Sequence, residues 1–197
     1  AFTADRRRLT AMRLAAQRIA PGEPATPGQV VRSMLAMQGQ DLPGARWSIG
    51  LRGRGLTDHE VGAAFDAREI VRSWPMRGTL HVVAAEDIGW MLALMAPRVI
   101  AATTTRRAQL GITEDDLRHA RDAAVGALEG GRALDRAALL SAISEGGTVI
   151  DGQRGYHLLG HLAQTGVLVL GPISGRQQTY VLLAAGVRDP RRLERDE

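Results

Sequence analysis

The sequence predicts a predominantly helical α+β fold built from tandem winged-helix (helix-turn-helix) units with small β-hairpin wings. Three observations support this prediction. Residues 111–186 show three helical patterns followed by two short strands, which is the element order of a winged helix. Residues 1–84 show a less regular set of helices that also ends in two strands. Residues 85–110 form a connecting helical stretch, and residues 187–197 are charged, so we expect a linker to a further C-terminal unit.

The helices of the first unit are predicted from proline and capping residues. Thr26 followed by Pro27 starts one helix, because proline is favoured in the first turn. Asp41 precedes Leu-Pro and is interpreted as the cap of the next helix. Thr57 and Glu60 have the spacing of a capping box. The predicted helices cover residues 4–19, 27–37, 41–51 and 57–67, and the predicted strands cover residues 70–74 and 79–84.

The connecting stretch and the second unit are predicted in the same way. Met91 and Met95 belong to an apolar stripe at helical spacing, so we expect this stretch to pack between the units and to be kinked or broken at Pro97. Thr113 and Asp135 are predicted caps. The predicted helices of the second unit cover residues 113–128, 135–145 and 153–164, and the strands cover residues 167–170 and 178–183.

Basic charge is concentrated near the start of the chain. All 25 basic side chains are arginine, and residues 1–55 hold nine of them against three acids. Arginine can bind phosphate or guanine through two hydrogen bonds, so this segment suits a polyanion, although a merely solvated basic face is an equally good interpretation. The chain has no cysteine and no lysine, which excludes thiolate and Schiff-base chemistry. It also lacks an apolar run of 18 residues, so we expect no membrane partner.

Two glutamines flank a glycine between two predicted helices. The carboxamides of Gln38 and Gln40 can converge in a cleft, with Asp41 directly after them. The alternative is that both side chains satisfy the free backbone groups of helix ends, and the residues alone favour this alternative. Asp41 is interpreted as a helix cap rather than as a catalytic base.

Two segments carry short motifs in a fixed order. Residues 34–46 (MLAMQGQDLPGAR) contain Gln-x-Gln, and residues 71–83 (VRSWPMRGTLHVV) contain Trp-x-x-Arg-Gly-Thr-x-His. Together with the winged helix that follows, they resemble a bacterial winged-helix family that contains DNA glycosylases of the AlkZ and YcaQ type. Such enzymes unhook interstrand crosslinks and excise N7-alkylated guanine. The resemblance covers nearly the whole chain, and members of the family continue into another winged-helix unit.

The resemblance implies that Gln38 and Gln40 are catalytic and hold the attacking water. Some relatives have Asp at the second position, whereas Gln40 makes this pair neutral. A carboxamide can orient water but cannot take its proton, so such a pair suits only an activated bond. The bond from sugar to an N7-alkylated, cationic purine is activated in this sense. Without lysine, the glycosylase would be monofunctional and would leave an abasic site.

Seven side chains are the predicted DNA contacts of the chain. Arg77 could instead pair with Glu86 or Asp87, and His81 could simply fill a half-buried strand position. His157 and His161 have a metal-binding spacing, but no third ligand is apparent, so we predict no metal and no cofactor. The predicted contacts are Arg46, Arg52, Arg77, His81, Arg154, Arg176 and Gln177.

The predicted function is therefore that of a monofunctional DNA glycosylase acting on N7-alkylated or crosslinked purines. The predicted partner is double-stranded DNA, including alkylated or crosslinked duplexes, and the expected location is the cytoplasm, in association with the nucleoid. The alternative is a non-catalytic winged-helix DNA-binding protein or transcriptional regulator. A third interpretation is a protein-interaction scaffold, which would require an exposed apolar patch.

Overall fold

The computed structural model describes residues 5–20, 24–175, 177–187, 190, 191 and 193. The elements of its first half are α1 (Arg6–Ala16), α2 (Pro27–Met34), β1 (Ala36–Gln38), α3 (Leu42–Arg52), α4 (Asp58–Asp66), β2 (Ile70–Met76) and β3 (Thr79–Ala84). The second half contains α5 (Ile88–Ala102), α6 (Thr104–Gln109), α7 (Glu114–Leu128), α8 (Arg136–Glu145), α9 (Arg154–Gln164), β4 (Leu168–Ser174), β5 (Gln177–Leu182) and α10 (Leu183–Gly186). The fold is α+β and mainly helical, in agreement with the predicted class.

Both hairpins belong to one antiparallel sheet with the strand order β1-β3-β2-β4-β5. The hairpin of residues 70–84 meets the hairpin of residues 168–182 along β2 and β4, where Arg72 pairs with Leu170. The sequence predicted a separate wing for each unit. The sheet instead continues from one unit into the other, because the edge of each hairpin satisfies backbone hydrogen bonds of the other.

Three apolar clusters cover the two faces of the sheet. On one face, α5 packs on both hairpins, with Met91 buried in a cluster that contains Val83 and Val181. On the other face, α2–α4 pack on β1–β3, and α7–α9 pack on β4 and β5. The predicted apolar stripe of the connecting helix is therefore part of the core. The boundary between the two clusters of the second face lies beside Arg72.

Two helices, α2 and α5, end differently from the prediction. α2 stops at Met34 rather than at residue 37, because Leu35 has a left-handed backbone with φ 64°. The chain then enters β1, so Gln38 lies on a strand and not at a helix end. α5 continues past Pro97 to Ala102, and the break comes at Thr103. Pro97 and Ala93, whose carbonyl loses its helical donor, are both exposed, so water can replace that hydrogen bond.

Most predicted caps are confirmed, with one exception. Thr26, Thr57 and Thr113 each form a capping box, and the Asp135 carboxylate accepts a hydrogen bond from the Ala138 amide. Asp41 occupies the cap position of α3, but its side chain makes no capping hydrogen bond. The prediction that Asp41 is held as a cap is wrong in this respect. Across the described residues, every helix is too short or too polar to cross a lipid bilayer.

Candidate functional site

The segment Gln38-Gly39-Gln40, called the glutamine turn below, lies where β1 leaves the sheet. Gln38 pairs with His81 of β3, and the Gly39 amide donates to the Leu80 carbonyl over 2.8 Å. A Cβ on Gly39 would lie 3.1 Å from the carbonyl carbon of His81, which is closer than side chains normally approach a backbone. Glycine at this position therefore lets the turn lie directly against β3.

The two carboxamides of the glutamine turn are joined by one hydrogen bond. Nε2 of Gln38 donates to Oε1 of Gln40 over 3.1 Å, and both side chains are exposed. Among the described residues, the Oε1 atom of Gln38 has no protein donor. The pair is thus ordered by its own contact and still offers an acceptor to a water molecule.

Arg72 holds the glutamine turn from inside the protein. Its Nε donates to the Gly39 carbonyl, its Nη2 donates to the Gln40 carbonyl over 2.9 Å, and its Nη1 donates to Oε1 of Gln178 over 2.8 Å. Burial lowers the pKa of Arg72, and the charges of Tyr180 and Asp41 oppose this effect. Because arginine titrates far above neutral pH, the guanidinium remains charged.

Two open cavities flank the glutamine turn. The Gln40 cavity has a volume of about 540 Å³ and extends towards the second unit, and the Gln38 cavity has a volume of about 530 Å³ and lies beside α3. Asp41 lines both, and it is the only acidic residue among their described lining residues. Further residues of the Gln40 cavity are Trp74, Arg136, Tyr156 and Gln177, and those of the Gln38 cavity include Gln17, Trp47 and Arg52.

Two predicted DNA contacts in the first unit have internal partners. Arg46 donates through Nη2 to the backbone carbonyl and the carboxylate of Asp58, each over 2.8 Å, and so ties α3 to the start of α4. Arg52 donates to Oγ of Ser48 over 2.6 Å and to Oε1 of Gln17 over 3.2 Å. Arg52 also lines the Gln38 cavity, whereas Arg46 does not line either cavity.

Arg77 and His81 lie on the first hairpin but in different surroundings. Arg77 is exposed in the turn between β2 and β3, where it and Gly78 have φ values of 57° and 68°. It lines an apolar groove along α5 rather than either of the two cavities. His81 is half-buried opposite Gln38, and its Nδ1 lies 2.9 Å from the Thr79 carbonyl.

The alternative partners predicted for Arg77 are engaged elsewhere. Glu86 forms ion pairs with Arg32 and Arg191, at 2.7 and 3.1 Å, and Asp87 pairs with Arg191 at 3.3 Å. The Arg32 guanidinium lowers the pKa of Glu86, mainly through its hydrogen bond. Among the described residues, neither acid forms an ion pair with Arg77.

The predicted DNA contacts of the second unit also differ from one another in exposure. Arg154 is only 12% exposed and donates to the carbonyls of Leu110 and Val149, over 2.7 and 2.8 Å, while Nη2 pairs with Asp116 at 3.2 Å. Its donors are thus directed at the protein interior, which argues against the predicted contact with DNA. Gln177 is exposed on β5 and lines the Gln40 cavity. Arg176 lies outside the described residues.

The two histidines of α9 are held in a cationic and partly buried environment. Burial lowers the pKa of both His157 and His161, and the charge of Arg107 acts in the same direction on each. Nδ1 of His161 is buried without a hydrogen-bond partner among the described residues. Within that part of the chain, no group of three or more potential metal-binding side chains occurs.

Two residues close to the glutamine turn, Arg72 and Trp47, have no predicted role in the sequence analysis. Arg72 is a charged residue within an apolar strand, which is the one signal that could have drawn attention to it. Trp47 is 70% exposed on α3 and lines the Gln38 cavity. An exposed tryptophan offers a flat face on which a nucleobase can stack.

Comparison with known proteins relates the chain to one family. The family model described as "DNA glycosylase AlkZ-like" matches residues 31–197. Among solved structures, the DNA glycosylase AlkZ of Streptomyces sahachiroi matches with a TM-score of 0.75 and 25% sequence identity, over 93% of this chain and 51% of that protein. The chain therefore spans about half the length of this relative. No curated protein sequence matches it.

Proposed function

The chain belongs to the AlkZ-like DNA glycosylase family, and from this premise we propose that it hydrolyses the glycosidic bond of N7-alkylated or crosslinked purines in DNA. The observation that carries the proposal is the exposed Gln38–Gln40 pair, hydrogen-bonded over 3.1 Å between two open cavities. A DNA-binding protein without catalytic function has no need of two carboxamides arranged in this way.

The chemistry matches what neutral side chains can provide. The bond between C1′ and N9 breaks, and its electron pair neutralises the positive charge of the alkylated purine. Water forms the new bond to C1′ and releases a proton to solvent, which leaves an abasic site and the free base. Gln38 and Gln40 accept hydrogen bonds from this water and orient it, because carboxamide oxygens are acceptors but not bases in this pH range.

Asp41 provides the negative charge of the proposed site. It lines both cavities and makes no capping hydrogen bond. A carboxylate beside the reacting sugar stabilises the positive charge that develops there, without itself transferring a proton. We assign Asp41 this electrostatic role in place of the structural role predicted from the sequence.

We propose that DNA lies across both cavities. Arg52 lines the Gln38 cavity and Gln177 lines the Gln40 cavity, so each would contact the backbone of a duplex placed in this way, and Trp47 would provide a stacking surface. Arg77 and His81 would contact DNA along the first hairpin. A protein with this substrate acts on chromosomal DNA, so a nucleoid-associated location is part of the proposal.

The test is release of N7-methylguanine from duplex DNA under single-turnover conditions. We expect the double variant Gln38→Ala, Gln40→Ala to lower the rate by about 100-fold, a typical effect of removing groups that act on the transition state. Gln109→Ala is the matched control, because Gln109 is exposed on α6 and lines neither cavity. Equal rates of base release in the parent protein, the double variant and the control would contradict the proposal.

Measurements of DNA binding together with base release distinguish the glycosylase from a non-catalytic DNA-binding protein. Phosphate contacts make the affinity for duplex fall as salt concentration rises. Strong, salt-dependent binding by a protein that releases no base would instead identify a non-catalytic winged-helix DNA-binding protein or regulator. An affinity that does not respond to salt would argue against both.

A further inference from the structure

We propose that Arg72 is a positioning residue that fixes the direction of the Gln40 side chain and that, through Gln178, makes this direction depend on the second hairpin. The catalytic consequence rests on the proposed glycosylase function. The structural consequence, an ordered glutamine turn, does not.

The geometry of the contact explains why Arg72 controls Gln40 in particular. The Gly39 carbonyl belongs to the peptide unit before the Cα of Gln40, and the Gln40 carbonyl belongs to the unit after it. Arg72 donates to both carbonyls through one rigid, planar guanidinium. Since each peptide unit is itself planar, fixing the two units fixes φ and ψ of Gln40 and hence the direction of its Cβ.

The third donor of Arg72 reaches the other half of the protein. Nη1 donates over 2.8 Å to Oε1 of Gln178, which lies 106 residues further along the chain on β5. Gln178 is itself held, because its Nε2 donates over 3.1 Å to the Gly171 carbonyl of β4. The glutamine turn is therefore connected to the second hairpin by a continuous series of buried hydrogen bonds.

Packing alone does not explain an arginine at position 72. Its side chain is buried, and its hydrogen-bond acceptors in the described residues are three neutral oxygens, with no carboxylate within ion-pair distance. Burying a charge without a counter-charge is unfavourable, and apolar residues of similar volume often fill such positions with no loss of stability. The guanidinium supplies what an apolar residue cannot, which is three donors with fixed relative directions.

The experiment compares Arg72→Met and Gln178→Leu with the control Thr179→Val. Thr179 neighbours Gln178 on β5 and donates a partly buried hydrogen bond over 2.8 Å to the Pro172 carbonyl, so its loss perturbs the same hairpin without touching Arg72. For each protein, single-turnover release of N7-methylguanine, affinity for the alkylated duplex, and amide hydrogen exchange of residues 38–42 are measured.

We expect Arg72→Met to lower the rate of base release by about 30-fold and Gln178→Leu by about 5-fold, with affinity for DNA changed by less than about 2-fold. Arg72→Lys keeps the charge but not the planar fork, so it should recover only part of the rate. Exchange of the Gly39 amide should accelerate in Arg72→Met and Gln178→Leu and remain unchanged in Thr179→Val.

Each other outcome has a definite meaning. Unchanged exchange and unchanged base release in Arg72→Met would overturn the proposal, and so would a rate loss matched by an equal loss of affinity, which would make Arg72 a DNA-binding residue. If Arg72→Met does not fold, Gln178→Leu decides in the same way. Faster exchange in variants of a protein that releases no base at all would uphold the positioning role and reject the glycosylase function.

Discussion

The glutamine turn and the start of α9 are each held by one poorly exposed arginine, but the two arginines differ in what they stabilise. Arg154 joins α9 to α7 through a carboxylate and two loop carbonyls, and its side chain is only 12% exposed. Arg72 donates only to neutral oxygens, and the pair that it supports remains exposed. The regular second unit thus uses its poorly exposed arginine to join two helices, whereas the irregular first unit uses its buried arginine to hold the exposed glutamine pair in place.

The largest expected effect is a loss of stability when Arg154 is replaced. Arg154→Met should lower the free energy of unfolding by about 2 kcal/mol, because Oδ1 of Asp116 and two loop carbonyls lose the guanidinium donors of Arg154. Urea denaturation measures this loss, and base release per folded molecule should be unchanged. A tenfold loss of base release in the folded variant would show instead that Arg154 contacts DNA, as the sequence predicted.

A variant of the glutamine turn should instead lose more activity than stability. Gly39→Ala brings a methyl group to 3.1 Å from the β3 backbone, so the glutamine turn must move by a few tenths of an ångström. We expect base release to fall by about tenfold, since small displacements of oriented groups are costly for catalysis, while stability falls by about 1 kcal/mol. Gly89→Ala, on α5 with open space where the new Cβ would lie, is the control. Equal activity in both variants would contradict a requirement for this close contact.

The rim of the Gln38 cavity should contribute to binding rather than to rate. Trp47→Ala is expected to weaken binding of alkylated duplex by about 5-fold, the lower end for loss of a base-stacking aromatic. Trp47→Phe should keep most of the affinity. Leu94→Ala, which removes a similarly exposed apolar side chain from α5, is the control. Fluorescence anisotropy of labelled duplex provides the measurement, and equal affinity of Trp47→Ala and the parent protein would exclude stacking.

The smallest effect concerns pH and the second unit. The pKa values of His157 and His161 are lowered in the folded protein. Near and below about pH 6.5, the ordinary pKa of histidine, these side chains therefore bind more protons in the unfolded chain than in the folded one. Stability should therefore fall as pH decreases from 7 through 6.5 towards 5.5. Thermal denaturation should show a shallower slope for His161→Leu than for the control variant of the exposed His59, His59→Gln. An identical slope would contradict this origin.

Sequence reasoning succeeded where the determinants are local. The capping box at Thr57 and the cap at Thr113 depend on residues three positions apart, and the first hairpin depends on its own turn. Sequence reasoning failed where the determinants of the structure lie far apart along the chain. Neither the pairing of β2 with β4 nor the bond from Arg72 to Gln178 leaves a local pattern, and β1 arises only because β3 is present to pair with it.

The candidate site shows the same division. The glutamine pair was found from its motif, but its placement on a helix end was wrong, because the left-handed backbone of Leu35 is not evident from a leucine. The chemical roles of Gln38 and Gln40 remain predictions. Arg46 and Arg154 were selected as basic residues without regard to partners that only the folded chain brings to them.

The joining of the two hairpins also sets a sequence of events during synthesis. Gln178 follows Gln40 by 138 residues, so a ribosome that adds about 5–20 residues per second completes the glutamine turn about 7–28 seconds before it makes the side chain that steadies Arg72. Until then Arg72 lacks its acceptor Gln178, so the direction of the Gln40 side chain is not yet set. Under the proposed function, base release would therefore begin only once the second hairpin has emerged and docked, and an incomplete chain would leave few abasic sites in the DNA that it meets.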